Sequence, residues 1–204
     1  MIIELFGLPA SGKTTLAKLL SGQRGLEIIK IRNRAELIWY NFLFLIYHPA
    51  KFFILLGWLV RYVGSGKLFY FKLMNFFFDI NARYQKAKMK KNGILDQGYF
   101  QNLLSLFEQE PGEAIMKSYL KILPRPDVLI ILDIPVIDRE EYIRSRGYFS
   151  RERMPDSYRE QWKKITEANF RLFMKIKDSL LLKNIIINKF DEHNISQLLK
   201  FIYE

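Results

Sequence analysis

The sequence predicts a three-layer α/β fold, a five-stranded parallel sheet held between layers of helices. Five short apolar runs recur along the 204 residues, helical stretches separate them, and each run is bounded by Gly, Pro, Asn or charge. Strands that alternate with helices pair in parallel, because the chain must cross back over the sheet before the next strand begins. A strand covered on both faces shows a continuous apolar run instead of alternation.

The runs are Ile2–Phe6, Leu26–Ile31, Gly93–Asp96, Asp127–Asp133 and Asn184–Asn188. A first helix is expected over Lys13–Leu20, directly after a glycine-bearing loop. A long one is expected from about Tyr158 to Leu181, opened by the capping-box order Ser157-Tyr158-Arg159-Glu160, with Trp162, Ile165, Leu172, Phe173 and Ile176 on one face. A last helix, about Ile195–Tyr203, follows Asn194.

Residues 35–92 break the alternation. From Leu37 to Val60 the only formal charge is Lys51, and aromatic residues crowd the stretch as far as Phe78. Asn41, His48-Pro49 and Lys51 interrupt it, so neither half reaches the roughly 20 apolar residues of a membrane span. Two or three helices packed on the sheet as an insert are expected. The alternatives are an exposed aromatic surface over about 37–78 that contacts a membrane or a lipid-like substrate, and a true span. The whole chain, 1–204, reads as a single domain carrying this insert.

Composition sets outer limits. There is no Cys, which excludes disulfides, zinc-thiolate sites and thiol nucleophiles. The two histidines, His48 and His193, cannot furnish a multi-histidine metal cage. A formal charge of +11 and a pI near 9.7 favour anionic partners: phosphates, nucleic acid or an acidic membrane face. Met1–Phe6 shows no basic n-region or cleavage site, so a cytoplasmic address is expected, with peripheral membrane contact as the variant the aromatic stretch suggests.

Gly7-Leu8-Pro9-Ala10-Ser11-Gly12-Lys13-Thr14 matches G-x-x-x-x-G-K-[ST] at every fixed position, between an expected strand and an expected helix. That setting defines a P-loop NTPase fold. Glycines at the ends let the backbone curl, successive N–H groups point inward, and the helix adds the positive end of its dipole. Gly7, Pro9, Ala10, Ser11, Gly12, Lys13, Thr14 and Thr15 are thus the expected ATP contacts. Lys13 would serve the β- and γ-phosphates and Thr14 would ligate Mg²⁺.

Asp96 closes the third run and should face the phosphates, because ligands of α/β sheets sit beyond the carboxyl ends of the strands. There it would hold a magnesium-bound water or accept the proton of an attacking hydroxyl. A turn carboxylate with Gly98 is the plainer alternative. Four arginines crowd Arg144–Arg153, and such a group can neutralise charge on a transferring phosphoryl and exclude water; a solvated basic helix end is the plainer alternative. Arg32 and Arg34, just past the second run, stand where an anionic acceptor would bind, with plain surface charges as the alternative.

At Gly7–Thr14, at Asp96 and at Pro126-Asp127-Val128-Leu129-Ile130-Ile131-Leu132-Asp133-Ile134-Pro135 the chain resembles the P-loop nucleoside and nucleotide kinases, thymidylate kinase-like members most of all. Arg144-Ser145-Arg146-Gly147 is similar to the family's approach to its lid. The resemblance implies that Arg144, Arg146, Arg151 and Arg153, in a lid at about 144–157, cover the donor phosphates, with an arginine such as Arg146 packing on adenine. Two positions depart from the pattern: Gln97 stands where thymidylate kinases carry Arg, and Tyr142 where they carry an earlier helix arginine. No nucleoside-recognition pattern is legible in 35–92.

Asn188-Lys189-Phe190-Asp191 is similar to the guanine-specificity motif of GTPases, but the Asp-x-x-Gly that should accompany it is one residue short at Asp96-Gln97-Gly98. Asn188 is expected in the loop after the last strand, touching the donor base. Nucleic-acid binding is not expected, since the basic residues coincide with the phosphate site and the long helix. The expected activity is transfer of the γ-phosphoryl group of Mg²⁺-ATP to a small-molecule acceptor. A nucleoside or nucleotide comes first and a sugar or lipid-linked precursor at a membrane surface second, with the oligomeric state open.

Overall fold

A computed structural model describes residues 1–63, 66–135 and 155–203. Its centre is a parallel sheet of five strands in the order β2-β3-β1-β4-β5. These are β1 (Ile2–Gly7), β2 (Glu27–Ile28), β3 (Gly93–Leu95), β4 (Val128–Leu132) and β5 (Asn184–Ile187). β1 lies in the middle, in register with Ile94 of β3 and Val128 of β4 through Ile3. β2 is shorter than the apolar run that suggested it. β3 offers it a short edge, so pairing runs Glu27↔Gly93 and Ile28↔Ile94, Ile29 N–H adds one bond to the Ile94 carbonyl (2.9 Å), and the chain then leaves the sheet.

Alternate residues of the strands divide two cores. Ile3, Leu5, Ile94, Ile130 and Ile187 pack under α1 (Lys13–Leu20) and the C-terminal helix. Ile2, Phe6, Leu95, Leu129 and Ile131 face the other, larger helical layer. The three-layer arrangement follows from period-2 side chains that are apolar on both faces.

The larger layer contains α2 (Arg34–Tyr47), α3 (Pro49–Val63), α4 (Lys67–Lys72), a π-helical turn over Leu73–Phe78 and α5 (Asp79–Lys90). The last three run on without a break into one rod, with helical backbone at Leu73 and at Phe78. The π turn widens the backbone, and neighbouring side chains take its carbonyls: Asn102 Nδ2 donates to Phe76 O (3.0 Å) and Asn41 Nδ2 to Phe78 O (2.8 Å). The fully buried Lys72 ties the same rod to the next segment, donating to Leu106 O (2.8 Å) and pairing with Glu108, whose other oxygen accepts from Tyr158 (3.2 Å). A buried ammonium needs this full set of partners.

α6 (Tyr99–Leu106) and α7 (Glu113–Ile122) follow β3, and α8 (Asp156–Ile176) precedes β5. α8 begins at Asp156, so Ser157 lies inside the first turn, Pro155 precedes it, and the expected capping box is not formed. It ends in a 3₁₀ turn over Lys177–Leu180, short of Leu181. Its Phe170 stacks on Phe6 of the sheet at 5.5 Å and Phe173 lies 4.3 Å from the same ring. α9 (Glu192–Tyr203) starts earlier than Asn194 suggested, because Asp191 Oδ1 accepts the Asn194 N–H (2.8 Å) and caps the helix.

No single helix among the described residues is long and apolar enough to cross a membrane; α2 and α3 pass that test only together, across a bend of 113° at His48.

Candidate functional site

The phosphate loop leaves the carboxyl end of the central strand. Ala10 (φ 63°) and Gly12 (φ 83°) both take left-handed backbone, and Ser11 N–H closes on Leu8 O at 3.2 Å, so the segment curls. Gly12 is required twice over. Its backbone favours glycine, and a Cβ there would lie 2.5 Å from the Phe190 ring, which packs against the loop. The Gly12 carbonyl accepts from Leu16 N–H (2.9 Å) and opens α1. Lys13 turns back over the loop and donates to Gly7 O (2.7 Å) and Leu8 O (2.8 Å), with Ser11 Oγ at 3.4 Å. Its ammonium is thereby held above the curl. Thr14 and Thr15 are exposed on the first turn of the helix.

Pro9–Thr14 form one wall of a cleft of about 550 Å³. The opposite wall comes from the larger helical layer. Phe71, Asn75 and Phe76 reach it from the π-helical rod, Asp79 and Arg83 from α5, and Trp162 and Thr166 from α8. Gln97 lines it from the turn after β3, and Gln101, Asn102 and Ser105 from along α6. Aromatic walls with amides, a carboxylate and a guanidinium between them suit a flat, polar-edged molecule lying against the loop.

Arg83 organises the acidic groups. Its Nε is 2.7 Å from Asp79 and its Nη1 is 3.1 Å from Asp96. Burial pushes the Asp79 carboxyl above the usual carboxylate range; Arg83 pulls it back, and the nearby Asp96 charge adds to the rise. Asp96 therefore stands one side chain behind the cleft wall, bound to Arg83, and is not itself part of the lining.

Glu4 is the anomaly of the central strand. It faces the same side as Ile2 and Phe6, is buried, and its carboxyl accepts the Gln101 N–H (3.0 Å) at the start of α6. Gly98 passes so close that a Cβ there would meet the Glu4 carboxyl carbon at 2.3 Å. Gln101, held in this way, accepts the Gly7 N–H (3.0 Å), so Glu4 links sheet, cleft lining and phosphate loop. Burial raises the Glu4 pKa from 4.5 to about 8, with the N–H groups of Gln101, Phe100 and Tyr99 opposing the rise. The folded chain therefore holds the proton more tightly than the unfolded one, and stability is lost as pH rises from 4.5 toward about 8. Glu4→Gln cannot ionise. In urea unfolding its stability relative to wild type should improve across that window by up to about 1.4 kcal/mol per pH unit. A pH-independent difference would show that Glu4 carries no proton there.

Of the residues expected from sequence, the structure gathers Pro9, Ala10, Ser11, Gly12, Lys13 and Thr14 at the cleft, with Gly7 supporting the curl and Thr15 on its outer side. Arg32 and Arg34 are exposed at the start of α2 and do not line the cleft, because α2 leads away along α5. Asn188 is exposed beside Phe190, outside the lining, and Asp191 is engaged as a helix cap. Arg144, Arg146, Arg151 and Arg153 lie outside the described residues. Asp79 and Arg83 escaped the sequence argument. Their signal was an acid and a base four residues apart in a segment otherwise crowded with aromatics.

No protein-family model matches the chain, and no curated protein sequence does. Solved structures do. Deoxyadenosine kinase from M. mycoides with bound dATP superposes with a TM-score of 0.55 at 16% identity over 100% of both chains. The same enzyme with the products dCMP and dCDP gives 0.54 at 15%, and with dCTP 0.50 at 14%, each covering 100% of this chain and 99% of the other. With its parallel sheet and its phosphate loop at the end of the central strand, the chain thus has the fold of the P-loop deoxynucleoside kinases.

Proposed function

We propose that the chain is an ATP-dependent phosphotransferase, a small-molecule kinase that moves the γ-phosphoryl group to a nucleoside, a nucleotide or another small hydroxyl or phosphate acceptor. One observation carries this: a single cleft joins the phosphate loop to an aromatic-walled pocket edged by Asp79, Arg83 and Gln97. The similar solved structures hold deoxynucleotides, which supports a nucleoside-type acceptor.

In this proposal the loop amides and Lys13 grip the donor phosphates. The exposed Thr14 hydroxyl, on the first turn of α1, suits a magnesium ion that takes its other ligands from phosphate and water. That ion would draw electron density from the phosphoryl oxygens. The acceptor oxygen forms a bond to the γ-phosphorus, the bond from that phosphorus to the β-γ bridging oxygen breaks, and ADP departs. The acceptor's proton passes to a carboxylate of the Asp79–Arg83–Asp96 group. Arg83 keeps both carboxylates oriented, and the raised pKa of Asp79 improves it as a base. Arg144, Arg146, Arg151 and Arg153 would cover the transferring group. A cytoplasmic setting suits this chemistry.

A lipid-linked acceptor is the second reading, favoured by Phe71, which lines the cleft and is also exposed to solvent. An acceptor screen coupled to ADP release separates the two. Asp79→Asn should lower kcat by about 10²- to 10⁴-fold while KM for ATP stays within a fewfold, and Asp96→Asn, which acts only through Arg83, should cost less. Equal losses in kcat and in ATP affinity for Asp79→Asn would remove Asp79 from the chemical step.

A further inference from the structure

α2 and α3 pack one face of each helix on the protein and leave the other without a partner. Asn41, Leu43 and Phe44 of α2 are buried, as are Leu55, Leu59 and Val63 of α3. The outward stripe of α2 is Ile38, Trp39, Phe42 and Ile46, which are 70%, 55%, 53% and 53% exposed. No charge interrupts it; Glu36 bonds instead to Lys86 (2.8 Å). Around the His48-Pro49 corner the outward stripe of α3 continues with Phe53, Ile54, Gly57 and Val60. Nothing lies within 4 Å of where a Gly57 Cβ would stand. So long an exposed apolar track is unusual for a surface that meets only water.

The charges around the track have one sign. Arg34 and Arg61 stand at its two far ends, both exposed. At the corner, the His48 ring packs against the Tyr84 ring (6.4 Å), Lys88 Nζ lies over that Tyr84 ring (5.9 Å) and the Tyr84 hydroxyl donates to Arg125 O (3.4 Å). The pKa of Lys51, lowered by burial and then by Lys88 and Arg125, agrees with this gathering of positive groups. Among the described residues, none of Lys51, Lys88 and Arg125 has a carboxylate within ion-pair distance. Between Arg34 and Asn92 there are ten Lys and Arg against two carboxylates, Glu36 and Asp79. A bent apolar track with basic ends and an unneutralised basic corner matches the layered chemistry of a bilayer surface, acyl chains beneath anionic headgroups.

We propose that the outward faces of α2 and α3 form a docking surface for an anionic phospholipid membrane, with Trp39, Phe42 and Phe53 entering the headgroup boundary and Lys51, Lys88 and Arg125 over the phosphates. Neither helix alone is long and apolar enough to cross a membrane, and the two meet at a bend of 113°; in this proposal the pair lies along the membrane surface. This surface does not depend on the phosphotransfer proposal, since it uses no residue of the cleft.

The test is flotation of the full chain, without ATP, with phosphatidylcholine vesicles and with vesicles containing about a third phosphatidylglycerol. The protein should float with the anionic vesicles, less so as salt rises, and stay behind with the neutral ones. Trp39→Ser/Phe42→Ser should lose about tenfold or more in partitioning, with unchanged thermal unfolding, because both side chains are exposed. Lys51→Glu/Arg125→Glu should lose the preference for anionic lipid. The proposal is overturned if the wild type stays at the bottom with anionic vesicles or if Trp39→Ser/Phe42→Ser floats as well as the wild type. It is equally overturned if the wild type sediments as a dimer that this double variant converts to monomer, because the face then belongs to a second copy. Flotation without any ADP release in the acceptor screen would sink the kinase and leave the docking surface standing.

Discussion

Lys13→Ala should reduce ATP turnover by about 10²- to 10³-fold, the scale on which removal of one preorganised charge-stabilising donor acts. The ammonium is placed by the loop itself, through Gly7 O and Leu8 O, so the charge is already oriented before a nucleotide arrives. Such a group contributes most when charge builds on the transferring oxygens. Lys13→Arg should not restore the rate, because a planar guanidinium cannot sit over two carbonyls of one tight curl as an ammonium does. Stability should fall by only about 1–2 kcal/mol, since the freed carbonyls border a cleft and can take water. ADP release and thermal unfolding, measured together on Lys13→Ala, decide the matter. Full turnover with a normal melting curve would place the reaction elsewhere.

The second large effect is on stability. Gly98→Ala should destabilise the fold by about 2–4 kcal/mol, through overpacking and the loss of a buried carboxyl's hydrogen bonds. The backbone of Gly98 is ordinary extended chain (φ −125°), so strain is not the cause. The cause is space: the new methyl would stand 2.3 Å from the Glu4 carboxyl carbon and 2.5 Å from one of its oxygens. Glu4 cannot retreat without abandoning the start of α6 and exposing its polar head to an apolar core. Gly112→Ala is the control, because its Cβ would meet nothing within 4 Å. It should change stability by less than about 0.5 kcal/mol. Chemical unfolding of the two variants side by side gives the difference, and equal values would contradict the close approach. Glu4→Ala combined with Gly98→Ala should recover part of the clash cost, since the methyl then occupies emptied space.

The residues that could be understood one at a time were the ones visible in the sequence. The loop Gly7–Thr14 was legible because it is contiguous: one strand end, one curl and one helix start, all within eight residues. β1, β3 and β4 were visible for a similar reason, each being a short, almost wholly apolar run buried on both faces. β2 was overestimated because the run Leu26–Ile31 carries no sign of how little β3 offers it to pair with. The capping-box order at Ser157 was misleading because the same four letters serve as well inside a first turn, and only the path of the chain through Pro155 selects between them.

The cleft is different in kind. Its loop wall is local, but Asp79, Arg83, Gln101 and Trp162 come from three separate helices and meet only when those helices pack on one face of the sheet. Arg83 shows the difficulty. In sequence it is one base among many in a positively charged chain; its pair with Asp79 is a local i,i+4 contact on α5, but its pairing with Asp96 exists because the end of β3 comes to lie beside that helix. Arg32 and Arg34, closer to a strand end in sequence, are carried away by the direction of α2. Backbone curl, helix starts and strand burial are short-range consequences of φ/ψ preference and hydrophobic pattern, and so are written in neighbouring letters. Which distant groups meet is settled by long-range packing of apolar faces, and that packing brings Glu4 under the start of α6 and Asp96 to Arg83 according to constraints no neighbouring letter records.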